Sequence, residues 1–335
     1  MATIREVSEL ANVSQATVSR VINGNKKVSE TTRVRVEAAM RDLGYRPNSF
    51  AQALASSRST SIGMVVSSLS GPFFGPIMHE VEQELRANGH HLVATSGDDI
   101  EEREREAIGF LLSRQVDALI LHVTMIGDDE LIEISKQGRP LVLINRFVPE
   151  LANSCIFLDN ELGGYLATKH LLDLGHRSVA CICGPMNKQD SRDRVQGYRI
   201  ALAEQKVAFD PNLVAEGSYD EDGGLAPARK LIQRDVNFTA VFCGNDNIAL
   251  GVYDVLAEQR KQVGKDVSVV GYDDVLLSRY LRPKLTTVHF PVVEMGKAAA
   301  RLVLKKISGK GDMEAIELTP ELVVRESTAQ PLSTE

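Results

Sequence analysis

Two groups of residues in this sequence have the types and spacing to do chemistry. The first stands where apolar runs end. Asp159 follows Cys155–Leu158, Asn245 and Asp246 follow Ala240–Cys243, Asp273 follows 267–271, and Asp190 and Arg194 lie on the segment after Val179–Cys183. Carboxylate, amide and guanidinium groups suit a ligand dressed in hydroxyls, such as a sugar, because each hydroxyl both donates and accepts. Each charge-assisted bond contributes roughly 1.5–3 kcal/mol. A sugar ring also presents a C–H face, for which Phe73 and Phe74, after the run 62–66, and Tyr219 offer an aromatic platform. The plainer reading is capping: an Asp or Asn after a strand often closes the first turn of the next helix. For Asp246 and Asp274 that reading has at least equal claim.

The second group lies near the N-terminus. On a helix beginning after Ser14, the outward positions carry Gln15, Ala16, Thr17, Ser19 and Arg20. Small and hydrogen-bonding side chains let a helix lie deep in a major groove, where Arg20 can read a guanine edge or grip a phosphate. A three-helix bundle with an ordinary polar face would look similar.

The elements that must position these groups follow from periodicity. Thr3 with Glu6 has the form of a capping box, and Ile4, Val7, Leu10 and Ala11 follow at helical spacing. After the turn Asn12-Val13, Ser14 caps a helix with Val18, Val21 and Ile22 inward, stopped by Asn23-Gly24-Asn25. Ser29 caps a third, with Val36, Ala39, Met40 and Leu43 inward and Gly44 at its end. Two short helices, a tight turn and a third helix form the helix-turn-helix plan. From Ile62 the pattern alternates helices with apolar runs such as Ala118–Leu121 and Leu141–Ile144. These runs lack period-2 alternation, as strands buried on both faces of a parallel sheet do. The helices between them end at Gly89, Gly138 and Gly175. Alternation over so long a segment means an α/β architecture, and its size suggests two lobes.

Charge follows the same division. The chain has 335 residues and a net charge of −7. Residues 1–60 hold nine Lys or Arg against five acids, a balance of +4, which leaves −11 on the remainder. A basic head on an acidic body suggests that the head meets an anion. With 43% hydrophobic and 25% charged residues, and no apolar run near the ~18 of a membrane helix, the composition excludes bulk disorder and a membrane protein. The first ten residues lack an apolar signal core, so a cytoplasmic location is expected. Cys155, Cys181, Cys183 and Cys243 read as reduced core thiols, the second and third on one face of a strand.

Enzyme and metal signatures are missing. There is no G-x-G-x-x-G, P-loop, G-x-S-x-G or H-E-x-x-H, and the seven histidines show no metal-ligand spacing. No cofactor or metal is expected.

The motifs themselves point to a family. Ala2-Thr3-Ile4-Arg5-Glu6-Val7, then 11–23, then Gly44-Tyr45-Arg46-Pro47-Asn48 and Ala51-Gln52-Ala53-Leu54-Ala55 closely resemble the DNA-binding head of the lactose-repressor family of bacterial regulators. In the body, Gly197-Tyr198 after Arg194, Phe238-Thr239-Ala240-Val241 before Asn245-Asp246, and Gly271-Tyr272-Asp273-Asp274 continue the likeness over essentially the whole chain. Leu143-Ile144-Asn145-Arg146, Asn237 to Val241, and Ser278 to Pro283 with Leu285-Thr286-Thr287-Val288 resemble the galactose-repressor and isorepressor branch.

The resemblance implies a small all-α helix-turn-helix head and an α/β two-lobed, periplasmic-binding-protein-like body with parallel sheets. Residues 1–47 would be the DNA-binding domain and 48–61 a hinge helix and linker. Residues 62–335 would bind sugar and dimerise, with lobe one at about 62–160 and 291–320 and lobe two at about 161–290 and 321–335. DNA would be met by Thr3, Ser14, Gln15, Ala16, Thr17, Ser19, Arg20 and Asn23 of the head. Gln15 and Ala16 would choose among operators. In the hinge, Asn48, Ala51, Leu54 and Ala55 would follow, Leu54 wedging into the minor groove. The effector would be met by Phe73, Phe74, Asp159, Asp190, Arg194, Tyr219, Asn245 and Asp273. Arg194, Asn245 and Asp273 are the first choices for hydroxyl contacts.

Two positions bear on the ligand. By the resemblance, an Asp or Asn commonly stands where this chain has Gly71, and its loss removes a cap or a hydroxyl contact. Lys188 could meet a phosphorylated sugar, but a solvated surface lysine is the expectation. The whole then reads as a repressor of sugar-utilisation genes, a homodimer on a pseudo-palindromic operator, released by a small sugar such as galactose. A co-repressor arrangement would use the same parts. With no leucine heptads near Glu335, a tail-mediated tetramer is not expected. Two alternatives compete: a sugar-binding module without DNA regulation, and a sugar-active α/β enzyme using paired carboxylates such as Asp273-Asp274. The basic head argues against the first, and the lack of a nucleophile or metal site against the second.

Overall fold

A computed structural model describes residues 2–22, 27–45, 59–220, 222–234, 236–309 and 314–332. They form two compact units, a helical head and an α/β body.

The head holds α1 (Ile4–Leu10), α2 (Gln15–Ile22) and α3 (Glu30–Asp42). Thr3 and Glu6 make the reciprocal capping box, with the Thr3 N–H donating to the Glu6 carboxylate at 2.7 Å. The Ser29 hydroxyl caps α3 by accepting from the Thr32 N–H. Each such cap contributes roughly 1 kcal/mol. At the far end of α3, Tyr45 N–H reaches the Met40 carbonyl and Gly44 N–H the Arg41 carbonyl, closing the helix in a Schellman motif. Val7, Ala11, Val18, Val21, Val36 and Ala39 form the core. Leu10 and Leu43, expected inward, are exposed at 54% and 37%. A core built on six small side chains cannot cover every apolar position of three short helices.

In the body, β1 (Ser61–Val66), α4 (Phe74–Ala87), β2 (His91–Ser96), α5 (Glu101–Ser113), β3 (Ala118–Leu121), α6 (Asp128–Ser135), β4 (Leu141–Ile144) and β5 (Cys155–Leu158) begin the first lobe. The chain then crosses into the second lobe with α7 (Asn160–Asp173), β6 (Val179–Cys183), α8 (Gln189–Glu204), β7 (Val214–Glu216) and α9 (Leu225–Gln233). β8 (Ala240–Cys243), α10 (Asp246–Glu258), β9 (Ser268–Asp273) and β10 (Thr286–His289) complete that run. It returns through α11 (Val292–Ile307) and β11 (Ile316–Leu318), and crosses a third time into β12 (Glu321–Val323). The first sheet has the order β11-β5-β4-β3-β1-β2 and is parallel throughout. The second has the order β12-β10-β9-β8-β6-β7, with β12 alone antiparallel.

The runs without alternation, β3, β4, β6 and β8, are buried at every residue, because helices cover both faces of each sheet. All four cysteines are free and buried. Among the described residues no helix is long and apolar enough to cross a membrane.

One helix contact sets up the site. A Cβ on Gly164 of α7 would stand 2.1 Å from the Arg194 carbonyl of α8, and a Cβ on Gly197 of α8 would stand 2.0 Å from the Glu161 carbonyl of α7. Reciprocal glycines let the two backbones touch, and that contact fixes where the Arg194 side chain begins.

Candidate functional site

The head presents α2 as expected. Gln15, Ala16 and Arg20 are exposed, Thr17 and Ser19 half-buried. Ser14 and Thr3 are exposed helix caps: the Ser14 hydroxyl accepts from the Thr17 N–H, and Thr3 anchors the capping box. Their local bonds position the helices they start. Asn23, Asn48, Ala51, Leu54 and Ala55 lie outside the described residues.

In the body, a cavity of about 410 Å³ gathers residues from the ends of strands in both sheets. Ser67 follows β1, Asp99 follows β2, His122 follows β3 and Asn145 follows β4. From the second sheet, Lys188 and Arg194 follow β6, Tyr219 follows β7, Asn245 follows β8, and Asp273 ends β9. The carboxyl ends of parallel strands are where α/β sheets bind ligands, because loops there diverge and leave a crevice.

Arg194 is 3% exposed. Its Nε donates to Asn160 Oδ1 at 2.9 Å and its Nη1 to the Gly244 carbonyl at 2.6 Å. The guanidinium lies 3.7 Å above the Tyr272 ring. Burial opposes its charge, but the flanking tyrosines, Asp273 and Asp190 outweigh that and raise its pKa. Asp273 Oδ1 is 3.6 Å from Nη1, and it has no hydrogen-bond partner among the described residues. Burial, offset in part by Arg194 and reinforced by Asp190, pushes the Asp273 carboxyl up to about 7. Asp190 lies 3.7 Å from Arg194 and accepts from the Ser191 N–H. Asn245 is committed on both sides: Oδ1 caps α10 through the Ile248 N–H, and Nδ2 donates to the Tyr219 carbonyl.

Phe73 and Phe74 stack edge-on, Phe73 against Phe290 and Phe74 against His122, with centroids 4.9 Å apart in both pairs. With Tyr219 they give the cavity aromatic walls. Gly71 also lines it, with nothing within 4 Å of where a Cβ would stand, so the absent side chain leaves space.

Three expectations need correction. Asp159 does not line the cavity; its carboxylate caps α7 through the Leu162 N–H at 2.8 Å. The capping reading offered for Asp246 and Asp274 fails for both. Asp246 accepts from the Thr287 hydroxyl and the Val275 N–H, while Asp274 pairs with Arg325 and accepts from the Ser278 hydroxyl. They tie loops together behind the site. Lys188 is not a solvated surface lysine. It is buried, and its Nζ lies 2.5 Å from Asp99 Oδ2.

Sequence reasoning missed the polar network around that pair. Ser67 and Thr124 hydroxyls donate to Asp99 Oδ1 at 2.6 and 2.9 Å, and the Ser67 oxygen lies 3.1 Å from His122 Nδ1. Burial lowers the His122 pKa despite Asp99 nearby, so the ring is neutral at neutral pH. The signal was available: Asp99 and His122 stand just after strands, as Asp273 does. Behind them, Glu104 is 1% exposed and accepts from the Thr124, Met125 and Ile126 N–H groups, which fixes the loop carrying Thr124. Among the described residues no group of three or more His, Cys, Asp or Glu could hold a metal ion.

Comparison with known proteins agrees over the whole chain. Residues 3–48 match the lacI family of bacterial regulatory proteins, and residues 168–328 match a periplasmic binding protein-like domain. The chain is 43% identical over 332 residues to the HTH-type transcriptional regulator GalR of Escherichia coli K12, covering 99% of this chain and 97% of that one. It is 38% identical to the ribose operon repressor of Haemophilus influenzae, covering 98% of each. Among solved structures it is similar to the lac repressor dimer bound to operator and the anti-inducer ONPF. The TM-score there is 0.88 at 30% identity, over 98% of this chain and 99% of that one. A complex of the transcriptional regulator CelR with cellobiose gives a TM-score of 0.73 at 34% identity, over 98% and 100%.

Proposed function

The chain belongs to the lacI family of bacterial regulatory proteins, and from that premise we propose that it represses sugar-utilisation genes and releases its operator when galactose or a related sugar fills the body cavity. It is a DNA-binding, sugar-responsive transcriptional regulator and not an enzyme. In this reading, residues 1–47 bind DNA and 48–61 form the hinge and linker. Residues 62–335 bind sugar and dimerise in the cytoplasm. Gln15, Ala16 and Arg20 read the major groove, with Thr3, Ser14, Thr17, Ser19 and Asn23 around them. Asn48, Ala51, Leu54 and Ala55 work in the minor groove.

The observation that carries the proposal is the cavity. Its walls come from both sheets, so a ligand that touches both favours one arrangement of the lobes over another. A ligand shifts a conformational equilibrium only by its differential affinity for the two states, and a site split between lobes supplies that difference. Asp273 and Asp190 accept sugar hydroxyls. Arg194 supplies the remaining donor, and Phe73, Phe74 and Tyr219 bracket the ring.

The test is a fluorescence-anisotropy titration of the full chain onto duplexes enriched from a random pool, at fixed salt, with and without D-galactose. Tight binding to a two-fold sequence that galactose weakens is the expected result. Binding indifferent to galactose and to a panel of related sugars would overturn the sugar-released repressor. Failure to enrich any duplex would overturn the DNA-binding assignment.

A further inference from the structure

We propose that Asp99 sets the chemical class of the effector: by masking Lys188 it makes the cavity accept uncharged sugars and refuse phosphorylated or carboxylated ones. The inference rests on the reading of the cavity as the effector site.

The charges lining the cavity carry the argument. Among the described residues they comprise the carboxylates of Asp99, Asp190, Asp220 and Asp273 and the cations Lys188 and Arg194. Neither cation offers an incoming anion an uncompensated positive charge. Arg194 is held by Asn160 and the Gly244 carbonyl, and its charge is offset by Asp190 at 3.7 Å and Asp273 at 3.6 Å. Lys188 comes from the second lobe, its side chain 10% exposed, and lies against Asp99 of the first lobe at 2.5 Å. Asp99 is itself held in place, because the Ser67 and Thr124 hydroxyls donate to its other oxygen. To reach Lys188, a phosphate or carboxylate must displace a carboxylate gripped by three donors, and it must do so among acidic neighbours. A neutral sugar meets no such barrier. The cavity offers it an acceptor in Asp273 Oδ1, which lacks a hydrogen-bond partner among the described residues and calls for a hydroxyl donor. Repulsion of this kind gives specificity by penalising the wrong ligand, as well as by rewarding the right one.

Asp99→Asn is a clean probe. The backbone at Asp99 has φ +53, a conformation that asparagine tolerates well. The amide oxygen can still accept from Ser67 and Thr124, while Lys188 loses its counter-charge.

The experiment is calorimetric titration of the full chain with matched pairs: D-galactose against D-galacturonate, and D-ribose against D-ribose 5-phosphate. For the pair whose neutral member binds, the charged member is expected to bind at least about 100-fold more weakly, because like charges brought together are penalised. Asp99→Asn should raise the ratio of charged to neutral affinity at least about tenfold, and adding Lys188→Met should remove that gain. A charged member that binds the native chain as tightly as its neutral partner would overturn the inference and leave the sugar-controlled regulator standing. So would an unmoved ratio in an Asp99→Asn protein that melts cooperatively. Binding of no member of either pair, or of the panel of neutral sugars, would overturn the effector-site reading and the inference with it.

Discussion

Arg194 and Asp273 face each other without a hydrogen bond. Nη1 of Arg194 donates to the Gly244 carbonyl at 2.6 Å and stays 3.6 Å from Asp273 Oδ1. The guanidinium therefore holds the pocket wall and leaves the carboxylate ready for a ligand. Its charge limits the upward push that burial exerts on Asp273, which stops at about 7.

That value predicts a pH dependence for effector binding. A sugar hydroxyl bonds better to a carboxylate than to a carboxylic acid, so bound sugar favours the charged form. Affinity should rise as pH rises towards 7 and level off above it, with up to about tenfold lost per pH unit below. Isothermal titration in buffers of different ionisation enthalpy should show a proton released on binding near pH 6.5, and Asp273→Asn should abolish the release. Stability has the opposite sign. Between the ordinary carboxylate range and about 7, the folded chain holds a proton on Asp273 that the unfolded chain has lost, so this group's contribution falls as pH rises through that window.

Arg194→Ala should cost stability as well as effector response. It strands Asp190 and Asp273 beside a vacated, buried space and removes the donor to Gly244. Removing one partner from buried charges costs roughly 3–5 kcal/mol, readable as a lower urea midpoint. In conditions where the variant stays folded, operator binding should persist and no longer respond to sugar. Arg194→Lys should not restore the response, since a point charge cannot bond Asn160 and Gly244 together.

Gly164→Ala tests the helix contact from which Arg194 is placed. The added Cβ would overlap the Arg194 carbonyl, so α7 and α8 must separate. A loss of roughly 1–3 kcal/mol in unfolding free energy is expected, with weaker sugar binding and unchanged operator affinity in the absence of sugar.

Arg20→Ala addresses the head alone. Arg20 is exposed on α2 and makes no part of the head core. The substitution should weaken operator binding and leave sugar affinity unchanged. If Arg20 grips a phosphate, the slope of log affinity against log salt should fall by about 1; if it reads a base, the loss should concentrate on one base pair.

What could be read from the sequence depended on the range of the interaction. The Thr3–Glu6 capping box, the Ser29 cap and the close of α3 at Gly44 are local, and each was legible from residues a few positions apart. The buried strands were legible because parallel sheets demand unbroken apolar runs. Arg194 and Asp273 stood out because they follow such runs. Asp159 was misjudged by the same rule, because capping and ligand binding draw on the same residue types at the same place. Lys188 was misjudged for a different reason. Its partner Asp99 lies 89 residues away in the other lobe, and no local pattern announces a pair that exists only when two sheets face each other. Leu10 and Leu43 show the limit of periodicity in a head too small to bury every apolar position.

The central claim is that sugar in the cavity and operator on the head oppose each other through one equilibrium, and linkage makes that claim measurable from both ends. D-galactose affinity should be determined by titration into the free full-length protein and into its saturated operator complex. The account predicts weaker galactose binding in the complex, by the same factor with which saturating galactose weakens operator binding. Equal galactose affinity in the two states would contradict it.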